Sequence, residues 1–564
     1  VEFKAFQEKK HKRTIMIIAG ISTFVLLVGI IIYQSYAMYE QINEYDVIKG
    51  DIPSFMSDYD VKVSVVIDGQ FQAEIPGKES GKAIEKIECT NNAIATWDYI
   101  NWSIQVKNLN NTKTKCQLFF KTKYKENILN GTDPVLKDNL IPILIENDGT
   151  VKKASLGSEW YNYEKKNWAN AVILQDQGIQ YGEGEIIPEE NIESYFVWIP
   201  RYKYKIFDTG NYDTLTGTLE DGKMPSKAQT IEIEFETKSQ TISDGNSVGS
   251  WLTHPAFTAF NTNGMWVGKF ETSYGTNGSE YDNSKINKFA PDMVRIKPNL
   301  YSWRGISVSN AFQTSYYYQR AYDSHMMKNT EWGAVAYLSH SSYGIKDAIR
   351  INNTFMTGVA SLTESTCGHI EKNEECNQYA NNFYDTISAR YNTEIGALAS
   401  TTGNISGIYD MSGAGWEYVM GVMKDQNGNP MSGLNNIYHS GFNGIFGCPS
   451  CREGDATITN LTTGIDYPDS KYYDSYGYAE NTNTYSRRIL GDATGEMGPF
   501  QTDTTINQKL GSWHGDEGSF VSHWYPYFIR GGLISYGTGA GIFQFHGTYG
   551  GGNSGGAYRI VLTF

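Results

Sequence analysis

Few groups in this chain are placed to do chemistry. Six cysteines, Cys89, Cys116, Cys367, Cys376, Cys448 and Cys451, form an even set. Outside a reducing compartment an even set points to disulfides. Local spacing suggests the pairs 89–116, 367–376 and 448–451; other connectivities, and free buried thiols, stay open. Cys448-Pro-Ser-Cys451 has the spacing of a redox pair or half a zinc site. No second such pair and no histidine cluster accompanies it, so it reads as a loop staple. Asp425-x-Asn427-x-Asn429 has the spacing of a calcium loop, but Pro430 stands where that loop needs glycine, and it reads as a turn. Residues 217–223 have phosphate-loop spacing, with Met224 in place of the magnesium-holding hydroxyl. Gly552-Asn-Ser554-Gly-Gly556 matches a nucleophile elbow in letters only, because no helix-forming segment follows. His325 and His340 flank a helix and read as surface or satisfied side chains.

A second set of residues reads as structural. Glu417 lies inside an apolar run, and a buried carboxylate needs a cation or backbone donors. Arg530 and Arg559 are natural mates for it. Trp332 and Trp416 are large hydrophobes whose indole N–H groups need partners. Gly407 and Gly413 flank a strand–turn where a side chain would not fit.

These residues must be positioned by a long chain. It has 564 residues, enough for two to four domains. Hydrophobic residues make up 40% and charged residues only 19%, so the polarity comes from Asn, Ser, Thr, Gly and Tyr. The net charge of -15 speaks against a nucleic-acid partner. Residues 14–33 are uncharged and follow the basic run Lys9, Lys10, Lys12 and Arg13. The reading is a transmembrane signal anchor, with a cytoplasmic tail at 1–13 and the rest outside; a cleaved signal peptide is the alternative. After a linker at 34–59, residues 60–121 read as a small all-β module with a hairpin at Asp68-Gly69, tied by Cys89 and Cys116. Residues 122–193 read as transitional. Residues 194–564 alternate short apolar runs with loops, which fits an α+β domain. Its best helix covers 330–339. Asn329 stands as its cap, and Trp332, Val335, Ala336 and Ser339 share a face.

Several segments of this last region, taken in order, resemble the formylglycine-generating-enzyme (sulfatase-modifying factor) family. They are Tyr195-Phe-Val-Trp-Ile-Pro200, Met265-Trp-Val-Gly-Lys-Phe-Glu271, Asn329-Thr-Glu-Trp-Gly-Ala-Val-Ala-Tyr337, Gly407-Ile-Tyr-Asp-Met-Ser-Gly-Ala-Gly-Trp-Glu-Tyr418, Arg530-Gly-Gly532 and Ala557-Tyr-Arg-Ile-Val561. The resemblance implies a C-type-lectin-like fold. In the family's aerobic oxidases a copper-binding cysteine pair lies between the last two segments. Here residues 533–556 hold no cysteine, and soft thiolates are what hold Cu(I). The family's calcium site uses an Asn where this chain has Ala414, so an oxygen ligand is lost there. The expectation is a non-catalytic branch with no cofactor and no metal site.

The tail then reads as a binding surface. Its mixture of Gly, Ser, Thr, Tyr and Asn is the composition of antibody paratopes. It also resembles the variable regions of diversity-generating-retroelement target proteins. The expected contact residues are Tyr536, Phe543, Phe545, His546, Tyr549 and Asn553, meeting a protein or glycan ligand. The module at 60–121 resembles stalk-side modules of Gram-positive surface proteins. Together these imply an adhesin-like protein of a bacterial cell membrane. A divergent oxidase or hydrolase, and a pilus-like subunit, are the alternatives.

Overall fold

A computed structural model gives the architecture. It describes residues 132–155 except 138, 160–205, 228–239, 251–275, 283, 285–362, 388–431, 468–480, 489–497 and 513–564. Six strands between 62 and 120 and two between 501 and 510 are described as backbone. The chain divides into two compact units, 1–125 and 126–564.

In the first unit the described elements are all strands. Lys62–Ile67 pairs with Gln70–Pro76, and Ile67 faces Gln70 across the two residues read as the hairpin turn. A four-stranded sheet is completed by Ser103–Lys107 and Ile94–Asp98. A separate two-stranded antiparallel sheet pairs Ile84–Cys89 with Cys116–Phe120 and sets Cys89 opposite Cys116 in register. Cys367, Cys376, Cys448 and Cys451 lie outside the described residues, as does the segment 217–223.

The second unit mixes many strands with few helices. Its strands, in chain order, include β1 (Ile141–Ile145), β2 (Val151–Lys153), β3 (Asn170–Leu174), β4 (Ile192–Pro200), β5 (Gly264–Gly268) and β6 (His325–Met326). They continue with β7 (Trp416–Met423), β8 (Asp474–Tyr476), β9 (Tyr527–Gly531), β10 (Gly541–Thr548), β11 (Gly556–Tyr558) and β12 (Ile560–Leu562). One antiparallel seven-stranded sheet runs β6-β12-β5-β4-β3-β1-β2. Its middle strands are apolar on both faces, so they form without the alternation of a half-exposed strand. Trp198 and Trp266 face each other across β4 and β5 with ring centroids 5.3 Å apart. The segment 122–193, read as transitional, contributes three of these strands, so the large unit begins well before residue 194.

The second sheet runs β8-β7-β9-β10, and β11 pairs with the first residues of β7, on the edge that β8 takes further along. Two 11-residue helices pack nearby: α1 (Val308–Tyr318) and α2 (Asn329–Ser339). Every residue of α2 is buried, not one face only. Asn329 is its first residue rather than its cap. Lys328 stands at the cap, and acidic side chains take its free N–H groups: Asp474 accepts from Thr330 and Glu331 from Lys328.

The expected polar core is present. Arg559 donates to both oxygens of Glu417, from Nε at 3.0 Å and Nη2 at 2.5 Å, and both residues are fully buried. It also reaches the carbonyls of Gly268 and Tyr409, tying the junction of β11 and β12 to the end of β5 and to the segment before β7. Arg530 does not meet a carboxylate directly. It donates to Asn329 Oδ1 and to the carbonyls of Asp492 and Ala493, with the Trp332 ring 5.5 Å away. Trp332 is fully buried, its indole N–H on the Ile542 carbonyl. Trp416 is only partly buried. Gly413 must be glycine: its φ is +80°, and a Cβ would lie 2.2 Å from the Asn352 carbonyl oxygen.

One expectation is corrected. Among the described residues, no helix is long and apolar enough to cross a membrane. The apolar run at 14–33 lies outside them. The single-pass, outward-facing placement is therefore withdrawn.

Candidate functional site

The residues expected to contact a ligand do not form one surface. Phe543 is 2% exposed and packs against Trp513, His514 and His340. Phe545 is 0% exposed, between Phe520 and Phe528 with the Arg530 guanidinium over its ring. Both are corrected from contact residues to core. The reason is that β10 is covered on both faces, leaving only His546 half-buried. That side chain bonds through Nδ1 to the Gly547 carbonyl. Tyr549 lies against Tyr525, and Tyr536 packs edge-on against Trp416. Asn553 clasps its own loop: its side chain accepts from Gly555 N–H and its carbonyl from Gly305 N–H.

The tail nevertheless borders a cleft of about 560 Å³. Residues 537, 540, 541 and 542 form one side of it. Asp347, Arg350, Leu398, His514 and Asp516 lie on the others. The turn Trp513-His514-Gly515-Asp516 positions the two acid–base groups. His514 has φ +58° and Gly515 φ +81°, and Asp516 N–H closes the turn on the Trp513 carbonyl. Positive φ at both central positions is the signature of a type I′ turn, and His is among the few non-glycine residues that visit this region readily. Asp516 then locks the turn to β10, its Oδ2 accepting from Phe543 N–H at 2.9 Å. Gly541 is obligatory here, since a Cβ would lie 2.1 Å from Asp516 Oδ1.

Behind His514 stands His340, at the end of α2. His340 Nδ1 is 2.8 Å from the Gln229 carbonyl, and its Nε2 is 2.9 Å from His514 Nε2. Burial, and secondarily the second imidazole, pushes His340 down to about 4. Burial also lowers His514. Both rings are therefore neutral at pH 7. Burial raises Asp516 well above the carboxylate range and Glu517 up to about 7. One Glu517 oxygen is buried without a hydrogen-bond partner. A neutral imidazole beside carboxyl groups whose protonated form burial favours can move a proton or sort ligands by their hydrogen-bond donors.

Two other expectations meet the structure here. Asp425 does form a turn, accepting from the N–H groups of Asn427 and Asn429. Glu417 has both oxygens on Arg559, and Ala414 offers no side-chain oxygen, so this pair does not fit a calcium ion. Among the described residues, no group of three or more His, Cys, Asp or Glu is arranged to hold a metal.

Sequence reasoning missed His514, Asp516 and Asp347. The one local signal was His514-Gly515-Asp516, a turn sequence that sets an acid and a base side by side. No protein-family model matches this chain, and no curated protein matches it.

Proposed function

We propose that the 126–564 unit is a ligand-binding domain on a C-type-lectin-like architecture related to formylglycine-generating enzymes, without their copper chemistry. Its ligand, a protein segment or a glycan, enters the cleft beside β10. The observation that carries this reading is the coincidence of that cleft with residues 533–556. The resemblance puts the family's copper-binding cysteines in this stretch, and here it contains none. A concave, largely aliphatic cavity with a few convergent polar groups is the usual form of a binding site. Arg530 supports it from the core, donating to the carbonyl of Ile542 in its wall.

The test fills the cleft. Ala348 is exposed and lines it, so Ala348→Trp occupies the space with little demand on the core. Full-length protein is screened against immobilised peptides and glycans, and a ligand retained by the parent is titrated with both proteins. The variant is expected to bind at least about tenfold more weakly, a loss of about 1.4 kcal/mol. Equal affinity would place the site elsewhere.

A second reading is enzymatic, and the His340–His514 pair favours it, since a neutral imidazole in a cleft suits general-base catalysis. Turnover of a cysteine-containing sulfatase-type peptide with added copper would instead mark an oxidase.

A further inference from the structure

The hydrogen-bond chain at the two histidines fixes which nitrogen faces the cleft. A carbonyl oxygen only accepts, so His340 Nδ1, 2.8 Å from the Gln229 carbonyl, carries the hydrogen. Neutral His340 then presents a lone pair at Nε2. The hydrogen between the rings belongs to His514 Nε2. His514 Nδ1 is left bare, as an acceptor. The Asp347 carboxylate, whose Oδ1 also accepts from Ala348 N–H at 2.7 Å, lies 3.9 Å from it and is 80% exposed. The cleft therefore ends in two acceptors side by side.

The other charged groups around it are engaged. Arg350 Nη1 donates to the carbonyls of Ser361 and Leu362. Asp516 Oδ2 holds Phe543 N–H. The remaining walls are mostly aliphatic (Ile345, Ile349, Ile351, Leu398 and Ile542), with Ser412 the one further polar residue among them.

We propose that this cleft recognises a primary ammonium group on an aliphatic arm (a lysine side chain of a protein, or a free alkyl amine), with His514 Nδ1 and the Asp347 carboxylate as its acceptors. The inference rests on the cleft being the binding site proposed above. An ammonium nitrogen at ordinary hydrogen-bond distance from both acceptors sees them roughly a right angle apart, close to the spread of its N–H bonds. A guanidinium fork matches acceptors as close as the two oxygens of one carboxylate. An anion would meet two acceptors. The net charge of -15 draws cations toward the chain.

The experiment titrates full-length protein with n-pentylammonium, n-pentanol, and a lysine amide with a free or an acetylated ε-amine. Binding is read by calorimetry and NMR. Pentylammonium and the free lysine amide are expected to bind at least about tenfold more tightly than pentanol and the acetylated amide. Tighter binding of the lysine amide identifies a protein side chain as the source, and tighter binding of pentylammonium a free amine. Asp347→Asn, at an exposed carboxylate, is expected to weaken both by about fivefold. The ring nitrogens of His514 are expected to show a bare Nδ1 and a protonated Nε2 at about pH 7.

Equal binding of the alcohol and the ammonium would overturn the proposal. So would an indifferent Asp347→Asn, or a protonated Nδ1. If Ala348→Trp abolishes capture of a screened ligand while no ammonium probe binds, the cleft reading stands and this inference falls. If the probes bind Ala348→Trp and parent equally, both fall.

Discussion

Single side chains in this molecule carry large electrostatic penalties, and these set its pH response. Glu517 has its ordinary carboxyl value of 4.5 pushed up to about 7 by burial. Below pH 4.5 both folded and unfolded chains are protonated there, and the group costs nothing. As pH rises from 4.5 to 7 the unfolded chain ionises first, so stability falls; above 7 the loss is constant. Glu517→Gln is expected to recover up to about 3 kcal/mol between about pH 5 and about pH 8, read as urea midpoints at both. No difference in the pH slopes would show that the carboxyl is solvated. His254 works in the opposite direction. Buried and neutral, with its Nδ1 accepting from Ala256 N–H, it is pushed from 6.5 down to about 3 by burial. The unfolded chain takes up that proton first, so stability is lost as pH falls through this interval. The Glu417–Arg559 pair gives a further expectation. Arg559→Met leaves an unpaired buried carboxylate and should cost about 3–5 kcal/mol in chemical denaturation, whereas pairing it with Glu417→Leu should restore part of that. Additive losses from the two substitutions would contradict the pair.

At the scale of elements, helix α2 offers a test in which propensity and packing disagree. Gly333 sits in its middle, where alanine would normally gain about 1 kcal/mol. A Cβ there would lie 2.0 Å from the Gly491 carbonyl oxygen and 2.8 Å from the Asp492 backbone. Neither is a flexible side chain, so Gly333→Ala is expected to destabilise by at least about 2 kcal/mol in thermal melts. A raised melting temperature would mean that the 489–497 loop can move away. The same helix shows what periodicity could and could not tell. Its span was legible because Trp332, Val335 and Ala336 repeat at helical spacing. Its burial on all sides was not, because Asn329, Thr330 and Glu331 look like surface residues until Arg530, Asp474 and His325 are seen beside them. Helix α1 gave no signal, since Ser, Asn, Gln, Thr and Tyr fill its turns. The strands 416–423 and 192–200 were legible as apolar runs, but the interior position of Phe543 and Phe545 was not. Glycine-rich, tyrosine-rich composition describes a flexible surface and a tightly packed hairpin equally well.

The whole molecule is where sequence reasoning had least purchase. The cleft draws on residues 345, 347–351, 398, 412, 514, 516, 537 and 540–542, which lie far apart in the chain. No local spacing could announce it. The division of the chain was partly legible: the β module ends close to where the first unit ends, but the strands at 141–174 fall in the stretch read as transitional, because turn signals surround them. Their place in the seven-stranded sheet matters for stability. A fragment that starts at residue 194 loses β1, β2 and β3, and exposes the flank of β4, where Tyr195, Phe196 and Val197 pair with β3. It is expected to aggregate, because a long apolar edge strand is left without its partner. A fragment covering 126–564 keeps every strand of that sheet and is expected to fold alone, with a calorimetric transition matching one seen in the full chain. The two fragments differ by fewer than seventy residues, so size is not the variable; the completeness of one sheet is. A soluble, cooperatively melting 194–564 fragment would show that the three strands are an accessory layer, and the core of this sheet would then have to be sought in β4, β5, β12 and β6.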